Sequence, residues 1–155
     1  MENALKELAA IKTAADMAEA FTDEGRCRSL MEAMVWPRGR LCPACGYRYS
    51  TALAGRRPGL YQCSNRHCRH QFTVTTRTPL HGTKLPLRTW LTALWFILQS
   101  DKGISSVRLA EALGVSQPTA WRMGHVLRLM VGGGNDSFHE FTQRLALISP
   151  DNLCR

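Results

Sequence analysis

Leu41 to Cys68 read LCPACGYRYSTALAGRRPGLYQCSNRHC, and the four cysteines in this stretch, Cys42, Cys45, Cys63 and Cys68, decide the fold. Cys42 and Cys45 are spaced C-x2-C and followed by Gly46, so one tight loop can turn both thiolates towards a single ion. The segment that follows, residues 46–62, fits the interval of about 15–20 residues found in ribbon-type zinc sites, and it ends in a second close pair of cysteines. Zinc takes four soft ligands at about 2.3 Å, and two such halves supply them.

The second half departs from the usual spacing, because four residues separate Cys63 from Cys68 and His67 lies among them. Three ligand sets are open at this point. A looped-out knuckle through Cys63 and Cys68 is preferred, a C-x3-H pair through His67 comes second, and His70 ranks third. Disulfides or buried free thiols are the competing readings. No secretory signal is legible, so a reducing compartment is expected, in which thiols stay reduced and bind metal. Four thiolates would also accept iron. Cys27 reads as an ordinary core thiol on a helix, and no role is assigned to Cys154.

Charge is distributed unevenly over the 155 residues. The net value is +8, yet residues 37–131 hold fourteen Lys or Arg against only Asp101 and Glu111, a local balance of +12, while residues 1–36 come to −3 and residues 132–155 to −1. So concentrated a field attracts polyanions, and each phosphate neutralised releases counterions, which points to nucleic acid. A basic face that is merely solvated is the plain alternative. The longest apolar stretch, Trp90 to Leu98, is far shorter than the ~20 residues of a membrane span, so a cytoplasmic protein without membrane association is expected.

Three zones follow from periodicity. In the first, Leu5, Leu8 and Ile11 recur at helical spacing, and Thr22 or Asp23 caps a second helix with Cys27, Leu30, Met31, Met34 and Val35 on one face. The second zone contains the cysteines and three short strand candidates, Tyr47 to Leu53, Leu60 to Cys63 and Gln71 to Thr76, with residues 55–59 as a turn. So small a sheet cannot bury enough apolar area to fold alone, and metal ligation is expected to supply the missing stability. Tyr61 and Phe72 are its sparse core; Arg56, Arg57, Arg66 and Arg69 are candidate phosphate contacts.

The third zone reads as three helices. Leu87 to Gln99 is a core helix with Leu87, Leu91, Leu94 and Leu98 on one face. Ser105 or Ser106 caps a short helix with Val107, Ala110 and Leu113 inward, and Gly114 closes it. Ser116 caps the last helix, with Pro118 in its first turn and Ala120, Met123, Leu127 and Met130 inward. This is the spacing of a helix-turn-helix, whose second helix enters the major groove. Its outward residues are Gln117, Trp121, Arg122, His125 and Arg128, and Gln117, Thr119 and Arg122 are the candidates for base edges or nearby phosphates. Trp121 could instead pack against the preceding helices. The expected class is α+β, divided as an N-terminal helical segment (1–37), a zinc ribbon (38–80), a helix-turn-helix module (81–131) and a linker with a short tail (132–155).

The motifs WPRGRLCPACG, then YQC with CRHQFTVTTRTPLHGTKLPLRTW, then KGISSVRLAEALGVSQPTAWRM resemble the N-terminal region of bacterial insertion-sequence transposases of the zinc-ribbon type. The similarity runs from about Thr22 to Met130. It implies modules that recognise the terminal inverted repeats of a mobile element on double-stranded DNA in the bacterial nucleoid, with a second copy or a full-length transposase as protein partner. It also implies an RNase-H-like domain beyond them, with an acidic triad and divalent metal ions. After Met130 the chain departs from that pattern, since only Asp136, Glu140 and Asp151 occur in residues 132–155, and two-metal catalysis needs several carboxylates on a substantial scaffold. The expectation is therefore a recognition half, truncated before its catalytic domain and without phosphodiester chemistry. The alternative is a zinc-ribbon module for protein interaction or assembly, without specific DNA binding.

Overall fold

In the computed structural model, residues 7–8, 10–53, 55, 57–100 and 103–132 are described. Leu5, Arg56 and the expected linker and tail beyond Gly132 lie outside them, as do the side chains of residues 129–132. The fold is α+β. Among the described residues Glu7, Leu8 and Ala10 are helical, and a three-stranded antiparallel sheet sits in chain order between two bounded helices on its N-terminal side and three on its C-terminal side.

The first zone breaks where its polar residues allow. The Thr13 side chain accepts from Asp16 N and starts α1 (Ala14–Ala20), so the apolar repeat through Leu8 and Ile11 does not continue as one helix. Asp23 rather than Thr22 caps α2 (Glu24–Val35), accepting from Gly25 N at 2.9 Å and Arg26 N at 3.2 Å. The predicted apolar face of α2, Cys27, Leu30, Met31, Met34 and Val35, is buried.

The strands are shorter than their sequence pattern. β1 (Ser50–Ala52), β2 (Tyr61–Cys63) and β3 (Gln71–Phe72) pair in the order β1-β2-β3, with Ala52 opposite Tyr61 and Tyr61 opposite Phe72. Tyr47 is drawn out of β1 because its carbonyl accepts from Cys42 N, closing the first cysteine loop. Thr73 to Thr76 leave β3 because hydroxyls compete with the ladder: Thr73 N donates to Thr76 Oγ1 at 2.9 Å, and Thr76 N donates back to Thr73 O at 3.0 Å. That turn sends Val74, and then Leu80, into the helical core.

The C-terminal helices are α3 (Leu87–Leu98), α4 (Ser106–Leu113) and α5 (Gln117–Gly132). Pro86 precedes α3 and offers no capping side chain, so Glu24 Oε1 from α2 accepts from Leu87 N at 2.9 Å and fixes the two helices together. Trp90, Leu91, Ala93, Leu94 and Trp95 of α3 are buried against α2 and α5, and each large side chain so buried contributes roughly 1.5–3 kcal/mol. Trp95 Nε1 donates to Ile11 O at 2.6 Å, which seats the segment before α1 on α3.

One predicted face is corrected. Val107 is 53% exposed, whereas Leu109 (1%) and Ala110 carry α4 into the core. An eight-residue helix offers two overlapping stripes, and the one with the leucine buries more apolar area, against Ala120, Met123 and Leu127 of α5. Ser105 caps α4, and Gly114 closes it at φ 64°, a left-handed position that costs a residue with a Cβ about 1–2 kcal/mol. At the start of α5, Ser116 O accepts from Ala120 N, while its hydroxyl is paired with the Thr119 hydroxyl at 2.8 Å.

Two hydrophobic clusters result, one helical and one in the sheet formed by Cys42, Tyr61, Cys63 and Phe72. Trp36, just past α2, packs against both, edge-on to Tyr61 (5.9 Å) and Phe72 (6.0 Å). Tyr61 OH donates to Glu32 Oε1 of α2 at 2.8 Å. Arg28 of α2 lies so close to the 55–59 turn that a Cβ on Gly59 would sit 2.5 Å from its Cδ.

Candidate metal centre and basic surface

Each cysteine pair is presented by a turn that its own sequence dictates. In the first, Cys42 N donates to Tyr47 O (2.9 Å), Gly46 N donates to Cys42 O (2.8 Å), and Gly46 takes φ 71°. The Arg77 guanidinium donates to Pro43 O and ties this loop to the chain after β3. In the second, Asn65 absorbs the unusual four-residue gap. Its carbonyl accepts from both Cys68 N and Arg69 N at 3.1 Å, its side-chain Oδ1 accepts from His67 N at 3.0 Å, and Arg69 turns left-handed at φ 50°. The loop therefore returns Cys68 inward and leaves His67 exposed.

The four sulfurs of Cys42, Cys45, Cys63 and Cys68 all lie within 4.8 Å of one another. Ligands at about 2.3 Å from a tetrahedral centre are about 3.8 Å apart. The Cys42–Cys68 and Cys45–Cys63 separations are 3.8 and 3.6 Å, which suits a shared ion and is far beyond a bonded pair at about 2.05 Å. Neither His67 nor His70 belongs to the converging set. Cys42 and Cys63 are buried, Cys68 is half-buried and Cys45 is exposed. Asn65 Nδ2 reaches Cys45 Sγ at 3.9 Å, a hydrogen bond that orients the outermost sulfur.

Electrostatics differ among the thiols. The Tyr47 backbone N–H, helped by hydrogen bonds from the other three thiols and opposed by desolvation, draws Cys45 down to about 7. Burial pushes Cys63 up to about 12. At neutral pH an incoming cation meets the exposed, more readily ionised Cys45 first and must displace the proton of buried Cys63. Ligation holds thiols ionised, so metal binding strengthens above their metal-free values and weakens as pH falls. Zinc titration by calorimetry in buffers of different ionisation enthalpy is expected to show proton release that grows as pH drops below 7, where Cys45 adds its own proton. Release that is absent or constant with pH would contradict thiolate ligation through Cys45.

Residues 22–71 match the transposase zinc-ribbon domain. This insertion-sequence transposase-type zinc ribbon takes in α2, β1, β2, the first residue of β3 and the four cysteines, so the match and the converging sulfurs describe the same unit. No curated protein and no solved structure matches the chain.

The other expected site residues occupy two places. Arg57, Arg66 and Arg69 are exposed on the ribbon, Arg57 in its hairpin turn and the others at the second knuckle. Gln117, Arg122, His125 and Arg128 are exposed on α5, and Thr119 is half-buried. Gln117 Nε2 donates to Ser106 Oγ at 3.1 Å and Arg128 Nη2 to Ile104 O at 2.6 Å, so both also brace α5 against the start of α4. Trp121 is 60% exposed and lies flat on His125, with centroids 5.7 Å apart and planes 6° from parallel. Most of its surface is open rather than covered by the preceding helices. Tyr47 and Tyr49, expected within a strand, form an exposed edge-to-face pair beside Arg48, Tyr49 being 69% exposed. The interleaving of Tyr with Arg was the signal that could have marked them as surface.

Proposed function

We propose that this protein is a zinc-dependent duplex DNA-binding protein, equivalent to the terminal-repeat recognition region of an insertion-sequence transposase. Cys42, Cys45, Cys63 and Cys68 hold structural zinc, α4 and α5 act as a helix-turn-helix, and the units follow the division at residues 37, 80 and 131. The observation that carries this reading is the open polar face of α5. Gln117, Arg122 and His125 stand in solvent on a helix whose other side is buried, in a 95-residue stretch, 37–131, with only two acidic residues. Base-edge readout by Gln117, Thr119 and Arg122, phosphate contacts from Arg57, Arg66, Arg69 and Arg128, and nucleoid association follow from it.

Affinity for duplex DNA is expected to fall steeply with salt and to favour one sequence over scrambled controls. Arg122→Ala is expected to cost about 1–3 kcal/mol of binding to the preferred duplex. An unchanged isotherm for that variant would remove Arg122 from the interface, and the absence of any binding at low salt would eliminate the reading. The competing role as a protein-assembly module draws support from the exposed Trp121, and the same salt titration separates the two.

No strand chemistry is assigned to the described residues. The metal-ligating side chains that converge among them are four cysteines, and thiolates sequester zinc in a closed shell rather than leaving the open position that catalysis requires. Cleavage or joining of terminal-repeat DNA by the pure protein with magnesium or manganese would overturn that assignment.

A further inference from the structure

The loop from Pro79 to Leu85 and the first turns of α5 enclose an open groove of about 440 Å³. Its polar lining comes from His81, Thr83, Lys84, Thr119 and Arg122, and none of the residues around it is acidic. The loop is built rather than draped. His81 N donates to Thr78 O (2.9 Å) and Thr83 N to Leu80 O (3.1 Å), while Thr83 Oγ1 accepts from both Leu85 N (3.2 Å) and Trp90 Nε1 (3.0 Å). Leu80 and Trp90 are buried in the helical core, so Lys84 and His81 on the loop are held in place from below. Lys84 and His81 thereby face Arg122 across the groove, at the end of α5 where Gln117 and Thr119 lie. A preset cluster of cations and hydroxyls without a carboxylate favours an anion, and its position beside the end of α5 favours an anion fixed to whatever that helix touches.

We infer that the Pro79–Leu85 loop is a phosphate clamp for the duplex. Lys84, assisted by His81, takes a backbone phosphate of the strand flanking α5 and sets the depth and register at which the helix enters the major groove. The inference rests on the DNA-binding reading above and adds to it a contact that carries no base information. Removing one such contact lowers affinity for every sequence alike and reduces the slope of log K against log salt by about 0.9, which at 0.1 M salt is about eightfold.

The test uses the zinc-loaded full chain, a duplex enriched by it from a random-sequence pool, and a scrambled version of that duplex. Lys84→Ala is expected to weaken both duplexes by the same factor of about eight at 0.1 M salt, to flatten the salt dependence by about 0.9, and to leave melting unchanged because Lys84 is exposed. An unaltered slope, or a loss confined to the enriched duplex, would overturn the clamp. Arg122→Ala in the same assay reports on the parent reading: loss of preference for the enriched duplex supports DNA recognition whatever Lys84 does. If the unmodified chain binds neither duplex at low salt, both readings fall. If Lys84→Ala abolishes thermal protection by inorganic phosphate yet leaves duplex affinity intact, the groove is a free-anion site and the inference is wrong.

Discussion

Cys45→Ser is expected to release the metal and unfold residues 40–78 while the helical core persists. Cys45 is exposed and serine is nearly its size, so packing cannot be the source of a large effect. The loss must travel through the ion. Structural zinc contributes roughly 10–16 kcal/mol of folding free energy in small metal-stapled domains, and a three-thiolate site forfeits most of it. Little else can compensate, because the ribbon cluster consists of Tyr61, Phe72 and two of the ligands themselves, with Trp36 against them. Cys27→Ser is the matched control. Burial pushes the Cys27 thiol up to about 11, its Sγ faces Phe21 O at 3.7 Å, and zinc content is expected to stay constant in that variant. Zinc stoichiometry and amide exchange over residues 40–78, measured for both, check the result; retained zinc in Cys45→Ser would contradict the site.

The second large effect falls on Trp36. Trp36→Ala is expected to cost about 3 kcal/mol, the lower end for deleting a large aromatic, because the ring is half-buried. Its consequence is specific. Trp36 belongs to both clusters, so its removal takes edge-to-face contacts from Tyr61 and Phe72 and loosens the ribbon from α2 without touching a ligand. Zinc content is expected to hold while the melting transition drops or splits in two. Undiminished, single-transition melting would show that the Tyr61–Glu32 bond and the Arg28 contact suffice to dock the ribbon.

The parts legible in the sequence are those in which local chemistry has one solution. The cysteine spacing demanded convergence, and Gly114 stands at a helix end because its left-handed backbone suits no other place there, while Asp23 and Ser105 were each one of two adjacent capping candidates between which the structure chose. Reading failed where two local solutions competed and tertiary contacts chose. The alternation of Gln71 to Thr76 looks like strand, but hydroxyl bonding among the threonines turned it after Phe72. Val107 and Leu109 lie on overlapping stripes of α4, and only the presence of α5 selects the leucine. The four-residue gap before Cys68 left His67 in contention because spacing alone does not say which way the loop turns; the Asn65 carbonyl and side chain turn it so that Cys68 joins the other sulfurs and His67 faces solvent. Loop Pro79–Leu85 carried no periodicity, and its ordering depends on buried Trp90, a residue that reads only as core.

X-ray absorption at the zinc edge on reduced, purified protein tests the central claim most directly. One zinc per chain surrounded by four sulfurs at about 2.3 Å is the predicted result. A shell containing an imidazole nitrogen, or cooperatively melting protein that holds no stoichiometric metal, would contradict it.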